Sequence, residues 1–195
     1  MKNIQRKIEK KIAFLSYPLL ATKNDYAVYS MNSTMVYVLE KFAKECKDKE
    51  IYYATGDNSR EARYFAEKLT EIGYQVKLCT NEDIMLYKDK WDVLFSGADF
   101  ICRKGIGSRK GTSVLAKFCR TYKKSWYVFA DSSKFLLNYN KNAKLQPGED
   151  SGRTMKDLKI IRSSFDIIPF RYMTYCITER RLYTPQDIIA YFDMW

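Results

Sequence analysis

Among the carboxylates of this chain, Asp99 is the one best placed for chemistry. It ends the run Ser96-Gly97-Ala98-Asp99, where an apolar segment stops and small residues let the backbone approach a ligand. A lone carboxylate there can carry a proton, or it can bond the backbone of a tight turn. Behind it, Arg103-Lys104-Gly105-Ile106-Gly107-Ser108-Arg109-Lys110-Gly111-Thr112 mixes glycines with cations ahead of a predicted helix. That composition suits a phosphate held by Arg109, Lys110 and Thr112, although it has neither the Walker nor the dinucleotide glycine spacing. Ser30-Met31-Asn32-Ser33-Thr34 brings Ser30, Asn32 and Ser33 to a helix start, where they either cap the helix or bind an anion. Arg60 and Arg63 lie near another helix start and could clamp a phosphate. Lys134, in Asp131-Ser132-Ser133-Lys134-Phe135, either faces the same crevice or is simply solvated.

Composition removes other chemistries. The 195 residues include no histidine, which excludes Ser-His-Asp and Cys-His catalysis and every His-containing zinc site. Cys46, Cys79, Cys102, Cys119 and Cys176 are widely spaced and form no Cys-x-x-Cys pair, so neither a disulfide framework nor a four-cysteine metal site is expected. No cofactor is called for, and a reducing, cytoplasmic setting fits. The net charge of +11 favours an anionic partner, but it is spread along the chain in short pairs. No RNP signature or other recognised module accompanies it, so nucleic acid is not the expected partner. The N-terminus is charged throughout and no run of 18 apolar residues occurs, so neither a membrane span nor a secretory signal is expected.

The elements that must position these residues follow from periodicity. Ile4, Ile8, Ile12 and Leu15 share a helix face, which predicts an N-terminal helix within 1–22 ahead of a domain over 23–195. Tyr26 to Tyr29, Ile51 to Ala54, Tyr74 to Cys79, Asp92 to Ser96 and Trp126 to Ala130 read as strands. Helical faces alternate with them, as in Met35, Val36, Leu39 and Phe42, or Ala62, Phe65, Ala66 and Leu69. Gly73 reads as a C-cap, and Asn138 to Lys156 as a long loop. Phe165 to Pro169, Met173 to Ile177 and a helix opened by Thr184-Pro185 complete the chain. Strict strand-helix alternation predicts a mostly parallel sheet with helices on both faces, whose ligand crevice opens at the carboxyl ends of the strands.

The ordered series Val93-Leu94-Phe95-Ser96-Gly97-Ala98-Asp99-Phe100-Ile101, Lys110-Gly111-Thr112, Trp126-Tyr127-Val128-Phe129-Ala130-Asp131-Ser132-Ser133-Lys134-Phe135, Phe165-Asp166-Ile167-Ile168-Pro169 and Thr184-Pro185-Gln186-Asp187-Ile188 resembles the initiation-factor-2B family. That family joins the alpha, beta and delta regulatory subunits of the eukaryotic guanine-nucleotide exchange factor with isomerases of methylthioribose 1-phosphate and ribose 1,5-bisphosphate. The resemblance implies a Rossmann-like, doubly wound α/β domain that dimerises. In the isomerases a Cys in the first crevice turn pairs with the Asp of the Gly-Ala-Asp turn for proton transfer. Asp99 matches that Asp, whereas the Cys position falls on Met31, whose thioether has no ionisable proton. Ser108-Arg109 stands where the family has Asn-Lys, with one residue fewer in the turn. Family members usually carry an N-terminal helical domain of which only the first helix is expected here, leaving the crevice more open to water.

These readings predict a non-catalytic regulatory or assembly subunit that retains a pocket for a sugar phosphate or nucleotide. Its partners by resemblance are related subunits, in a homo- or hetero-oligomer, and the GTP-binding initiation factor. The alternative is a sugar-phosphate aldose-ketose isomerase with Asp99 as its catalytic residue and Arg109, Lys110 and Lys134 on the phosphate.

Overall fold

The computed structural model describes residues 2–21, 25–46, 49–56, 59–139 and 165–194. Helix α1 (Lys2–Ala21) is followed by β1 (Tyr26–Tyr29), α2 (Ser33–Cys46), β2 (Glu50–Ala54), α3 (Ser59–Ile72), β3 (Gln75–Cys79) and α4 (Asn81–Leu86). Next come β4 (Val93–Gly97), β5 (Phe100–Cys102), β6 (Gly105–Arg109), α5 (Thr112–Thr121), β7 (Ser125–Phe129) and β8 (Phe135–Leu136). The last elements are β9 (Phe165–Ile168), β10 (Tyr175–Ile177), β11 (Leu182–Tyr183) and α6 (Pro185–Asp193).

Seven strands form one sheet in the order β11-β10-β7-β4-β1-β2-β3, parallel throughout except for the edge strand β11. Its parallel part has the order of a Rossmann sheet, in which the chain winds outward in both directions from the pair β1 and β4. Residue alternation sorts the strands between two cores. Tyr26, Val28, Val93, Phe95, Tyr127 and Phe129 face α1, α2 and α3 through Ile12, Leu20, Met35, Leu39, Ala62 and Leu69. Ala27, Tyr29, Leu94, Trp126 and Val128 face the other way, onto Ile84, Leu115, Cys119, Ile188 and Phe192 of α4, α5 and α6. Both faces are therefore covered by helices, and the expected α/β class is observed. The buried Trp126 indole N–H donates to Ser96 Oγ at 2.9 Å, so this polar pair is satisfied inside the core.

The predicted strands and helices lie where periodicity placed them, with ends moved by a residue or two. Gly73 takes φ +111 just past α3, and Thr184 caps α6 in a capping box with Asp187 ahead of Pro185. The first helix runs on through Pro18 to Ala21, with Pro18 exposed. Most of the expected loop Asn138 to Lys156, from residue 140 on, lies outside the described residues, as do 22–24 of the first polar stretch and 57–58 of the second turn.

One expectation is corrected. The glycine-rich stretch ahead of α5 is not an open turn: it is most of an antiparallel hairpin, β5 and β6, in a second sheet of order β8-β5-β6-β9. Its glycines serve packing. Gly105 takes φ +143 and a Cβ there would run into the Ile168 carbonyl, while Gly107 lies flat against the Phe100 ring. This small sheet sits over the carboxyl ends of β4 and β7 and forms one wall of the crevice.

Candidate functional site

The strand order reverses between β1 and β4, and the turns leaving these two strands are stitched together there. Ser30 takes φ +52, and its carbonyl accepts from Gly97 N–H at 2.8 Å. Asn32 is spent on structure: its Oδ1 caps α2 by accepting from Met35 N–H at 2.9 Å, and its Nδ2 donates to the Phe129 carbonyl at 3.2 Å. A Cβ on Gly97 would lie 2.6 Å from that Nδ2, so only glycine lets the two turns meet. Asp99 N–H donates to the Gly107 carbonyl at 2.8 Å and Ser108 Oγ to the Gly97 carbonyl at 3.0 Å, which fixes the hairpin to the end of β4.

Between these pieces opens a cleft of about 480 Å³. Its floor is Ser30, Met31, Asn32, Gly97, Ala98 and Asp99, and its walls are Glu61 and Phe65 of α3, Arg109 of β6 and Phe165 of β9. Asp99 remains open to solvent, yet protein is packed closely enough around it that desolvation, the largest influence, raises its pKa above the ordinary carboxylate value. Lys134 and Arg109 oppose that rise, in that order, and Glu61 adds to it. Arg109 and Glu61 form an ion pair across the mouth of the cleft, with side chains 26% and 33% exposed. A carboxyl whose proton is held more firmly than usual, beside two cations, can accept a hydrogen bond from a hydroxyl or exchange a proton.

The site residues expected from sequence divide. Ser30, Asn32, Asp99 and Arg109 are brought together, and Lys134 stands close enough to act on Asp99 electrostatically. Ser33, Lys110 and Thr112 are not part of the cleft lining. Ser33 is an exposed first residue of α2 and the Lys110 side chain is exposed. Thr112 is buried, with its hydroxyl 2.6 Å from the Arg109 carbonyl and 3.2 Å from Ser108 Oγ. Arg63 lines a different, more open groove between α3 and the edge strand β3, with Glu67, Glu71 and Leu78. That groove is larger, about 700 Å³, but it lies along the flank of α3 and away from the strand ends that deliver polar groups. The anion position at the α5 N-terminus is filled from within: Asp166 accepts from Gly111 N–H and Ser113 N–H, both at 2.9 Å.

Sequence reasoning passed over Glu61, Phe65, Phe165 and Asp166 as site groups. Glu61 was detectable in principle, since it lies between Arg60 and Arg63 at a helix start; Phe165 and Asp166 reach the site only through the second sheet. No described thiol lines the cleft. Cys102, Cys119 and Cys176 are buried and Cys79 is half-buried; burial pushes the thiols of Cys79 and Cys119 up to about 12. Among the described residues no cluster of His, Cys, Asp or Glu could hold a metal ion, and no helix is long and apolar enough to cross a membrane.

A family model described as the initiation factor 2 subunit family matches residues 1–185. A translation initiation factor eIF-2B subunit 2-like protein of Pyrococcus abyssi is 21% identical over 178 residues, 91% of this chain and 64% of that protein, so the chain spans about two thirds of this relative's length. Among solved structures, the translation initiation factor eIF-2B of Pyrococcus horikoshii OT3 superposes with a TM-score of 0.82 at 20% identity, over 96% of this chain and 68% of that one. The 5-methylthioribose 1-phosphate isomerase of the same organism gives 0.74 at 16% identity, over 97% and 60%. A chain of the tetrameric eIF2B-beta2-delta2 complex from C. thermophilum gives 0.70 at 15%, over 97% and 60%. At these identities the structural likeness is one of fold.

Proposed function

The chain belongs to the initiation factor 2 subunit family, and from that membership we propose that it is a non-catalytic regulatory or assembly subunit whose cleft binds a phosphorylated small molecule, a sugar phosphate or a nucleotide. The observation that carries the non-catalytic part is Met31. It lies 5% exposed in the cleft floor, on the first crevice turn, where the resembling isomerases place a thiol opposite the aspartate. A thioether neither gives nor takes a proton, and no described cysteine lines the cleft in its place. Moving a hydrogen between neighbouring carbons needs groups that act in turn as base and acid. Asp99 supplies one such group.

Assembly with related subunits is supported by the company of the fold, which includes a tetramer of eIF2B beta and delta chains. The C-terminal part of this chain also leaves Leu136, Leu137, Ile189 and Met194 between 40% and 75% exposed, which a partner subunit would cover. By family resemblance the partners are homologous chains and the GTP-binding initiation factor, in the cytoplasm.

An isomerase reading has its own observation. Asp99 holds its proton more firmly than an ordinary carboxyl does and feels Lys134 and Arg109, so a lysine could stand in as the second proton carrier. A thermal-shift titration with methylthioribose 1-phosphate, ribose 1,5-bisphosphate, AMP and GMP separates the readings when each hit is assayed for product. A ligand that binds only the folded protein raises the melting temperature by linkage. Stabilisation without product is the expected result. Product formation that Asp99→Asn abolishes would replace the regulatory reading with the enzymatic one, and no shift with any compound would remove the small-molecule site.

A further inference from the structure

We propose that the outer face of α1 is a docking surface for single-stranded nucleic acid, with the cations that precede Phe14 on its phosphates and the Phe14 ring against a base. None of these residues lines the cleft, so the inference stands apart from the small-molecule reading.

The sequence carries no recognised nucleic-acid module, and the expectation against such a partner rested on charge spread along the chain in short pairs. Folding gathers two of these pairs, Arg6-Lys7 and Lys10-Lys11, on one helix. At 3.6 residues per turn the four cations occupy an arc of about 140° around α1, and Phe14 stands in the middle of it. All four are exposed, and Phe14 is 79% exposed. Glu9, the only carboxylate of α1, lies about 140° from Phe14 around the helix and accepts from Gln5 Nε2 at 3.3 Å. Among the described residues none of the four cations forms an ion pair. Lys7 stands three and four residues before Lys10 and Lys11, and Arg6 four before Lys10, the spacings at which like charges on a helix repel. Within the helix this arrangement costs stability, and a polyanion laid along the face relieves it.

The aromatic rings narrow the choice of polyanion. Tyr17, 46% exposed, follows Phe14 within the same arc, its ring 5.2 Å from that of Phe42. Cations followed by exposed rings are the two halves of a single-strand platform: the cations hold the backbone, and unstacked bases lie on the rings. A paired duplex hides its base faces, so a single strand is the better fit. An anionic membrane fits less well, because an interfacial helix must turn a continuous apolar face to the lipid. That face of α1, with Ile8, Ile12, Ala13, Leu19 and Leu20, is packed into the core beneath it.

Fluorescence anisotropy of a labelled oligouridylate of about 20 nucleotides, titrated with the full chain at low salt, tests this. Binding is expected in the micromolar range, with log K falling against log salt at a slope of about −2 to −3, as three or four phosphate contacts to a single strand require. The triple variant Lys7→Gln, Lys10→Gln, Lys11→Gln should weaken binding by about tenfold or more and flatten that slope. Its melting temperature should not fall, since the like-charge pairs are gone. Lys117→Gln, Arg120→Gln, Lys123→Gln removes the same charge from exposed positions in and just after α5, and should change the affinity by less than about twofold. Equal weakening by both triples means that net charge rather than α1 draws the RNA, and overturns the proposal. Phe14→Ala should weaken binding by about fivefold or more with the slope unchanged, and an unaltered affinity overturns the stacking role. Displacement of the RNA by polyglutamate as readily as by unlabelled RNA assigns the face to an acidic protein, and binding to phosphatidylserine vesicles without binding to RNA assigns it to a membrane. Either result overturns the proposal, as does the absence of any binding to the oligouridylate.

Discussion

The two sheets that meet at the cleft are held together by different means. The seven-stranded sheet is bound by alternation: each central strand sends successive side chains into two cores, and the turns after β1 and β4 inherit their positions from that packing. The four-stranded sheet has short strands and little alternation. It depends on single contacts: Gly105 against Ile168, Gly107 against Phe100, Asp166 on the end of α5, and Arg109 on Glu61. One wall of the site is therefore stiff by construction, and the other hangs on individual residues.

The largest effect that would test this contrast is in the first sheet. Phe95 is 1% exposed and its ring meets those of Tyr26, Tyr127 and Phe129 at 4.7, 6.0 and 5.5 Å. Phe95→Ala is expected to cost about 3–5 kcal/mol in urea unfolding, with both sheets lost in one transition. Gly105→Ala, which places a side chain at positive φ against a carbonyl, should cost about 1–3 kcal/mol. Its loss of hydrogen-exchange protection should concentrate in β6 and β9; equal loss in β1 and β4 would mean that the two sheets open as a single unit. Asp166→Ala removes both caps of α5 and should lower stability by about 1 kcal/mol, read from thermal unfolding.

The smallest expected effect has the opposite sign. Because the folded protein holds the Asp99 proton more firmly than the unfolded chain does, stability from this group is fully present below the unfolded carboxylate pKa and is lost as pH rises through the folded one. Asp99→Asn should therefore raise the melting temperature slightly at neutral pH and leave it unchanged in acid. A drop at neutral pH would mean that the Asp99 carboxylate stabilises the cleft instead of being tolerated there.

The same contrast explains what could be read before the structure was known. The strands of the first sheet announced themselves because Tyr26 to Tyr29 and Trp126 to Phe129 are apolar runs bounded by turn residues, and Thr184-Pro185 is a local start signal. Asp99 could be placed because the end of a parallel strand is where ligands bind. The hairpin could not be read, since Gly105-Ile106-Gly107-Ser108 has the composition of a loop and becomes strand only through its neighbours. Ser33, Arg63, Lys110 and Thr112 looked like anion ligands for the same reason: residue type gives no direction. The partners of Arg109 and of the α5 amides, Glu61 and Asp166, lie 48 and 55 residues from them in sequence, beyond any local pattern.

The claim with most at stake is that the cleft binds but does not turn over, because Met31 stands where a proton carrier would be needed. The most direct measurement is phosphorus NMR of the full chain incubated with methylthioribose 1-phosphate and with ribose 1,5-bisphosphate. The predicted result is a broadened or shifted substrate signal with no new ketose-phosphate resonance over many hours. A ketose phosphate that accumulates with the full chain and is absent with Asp99→Asn would contradict it.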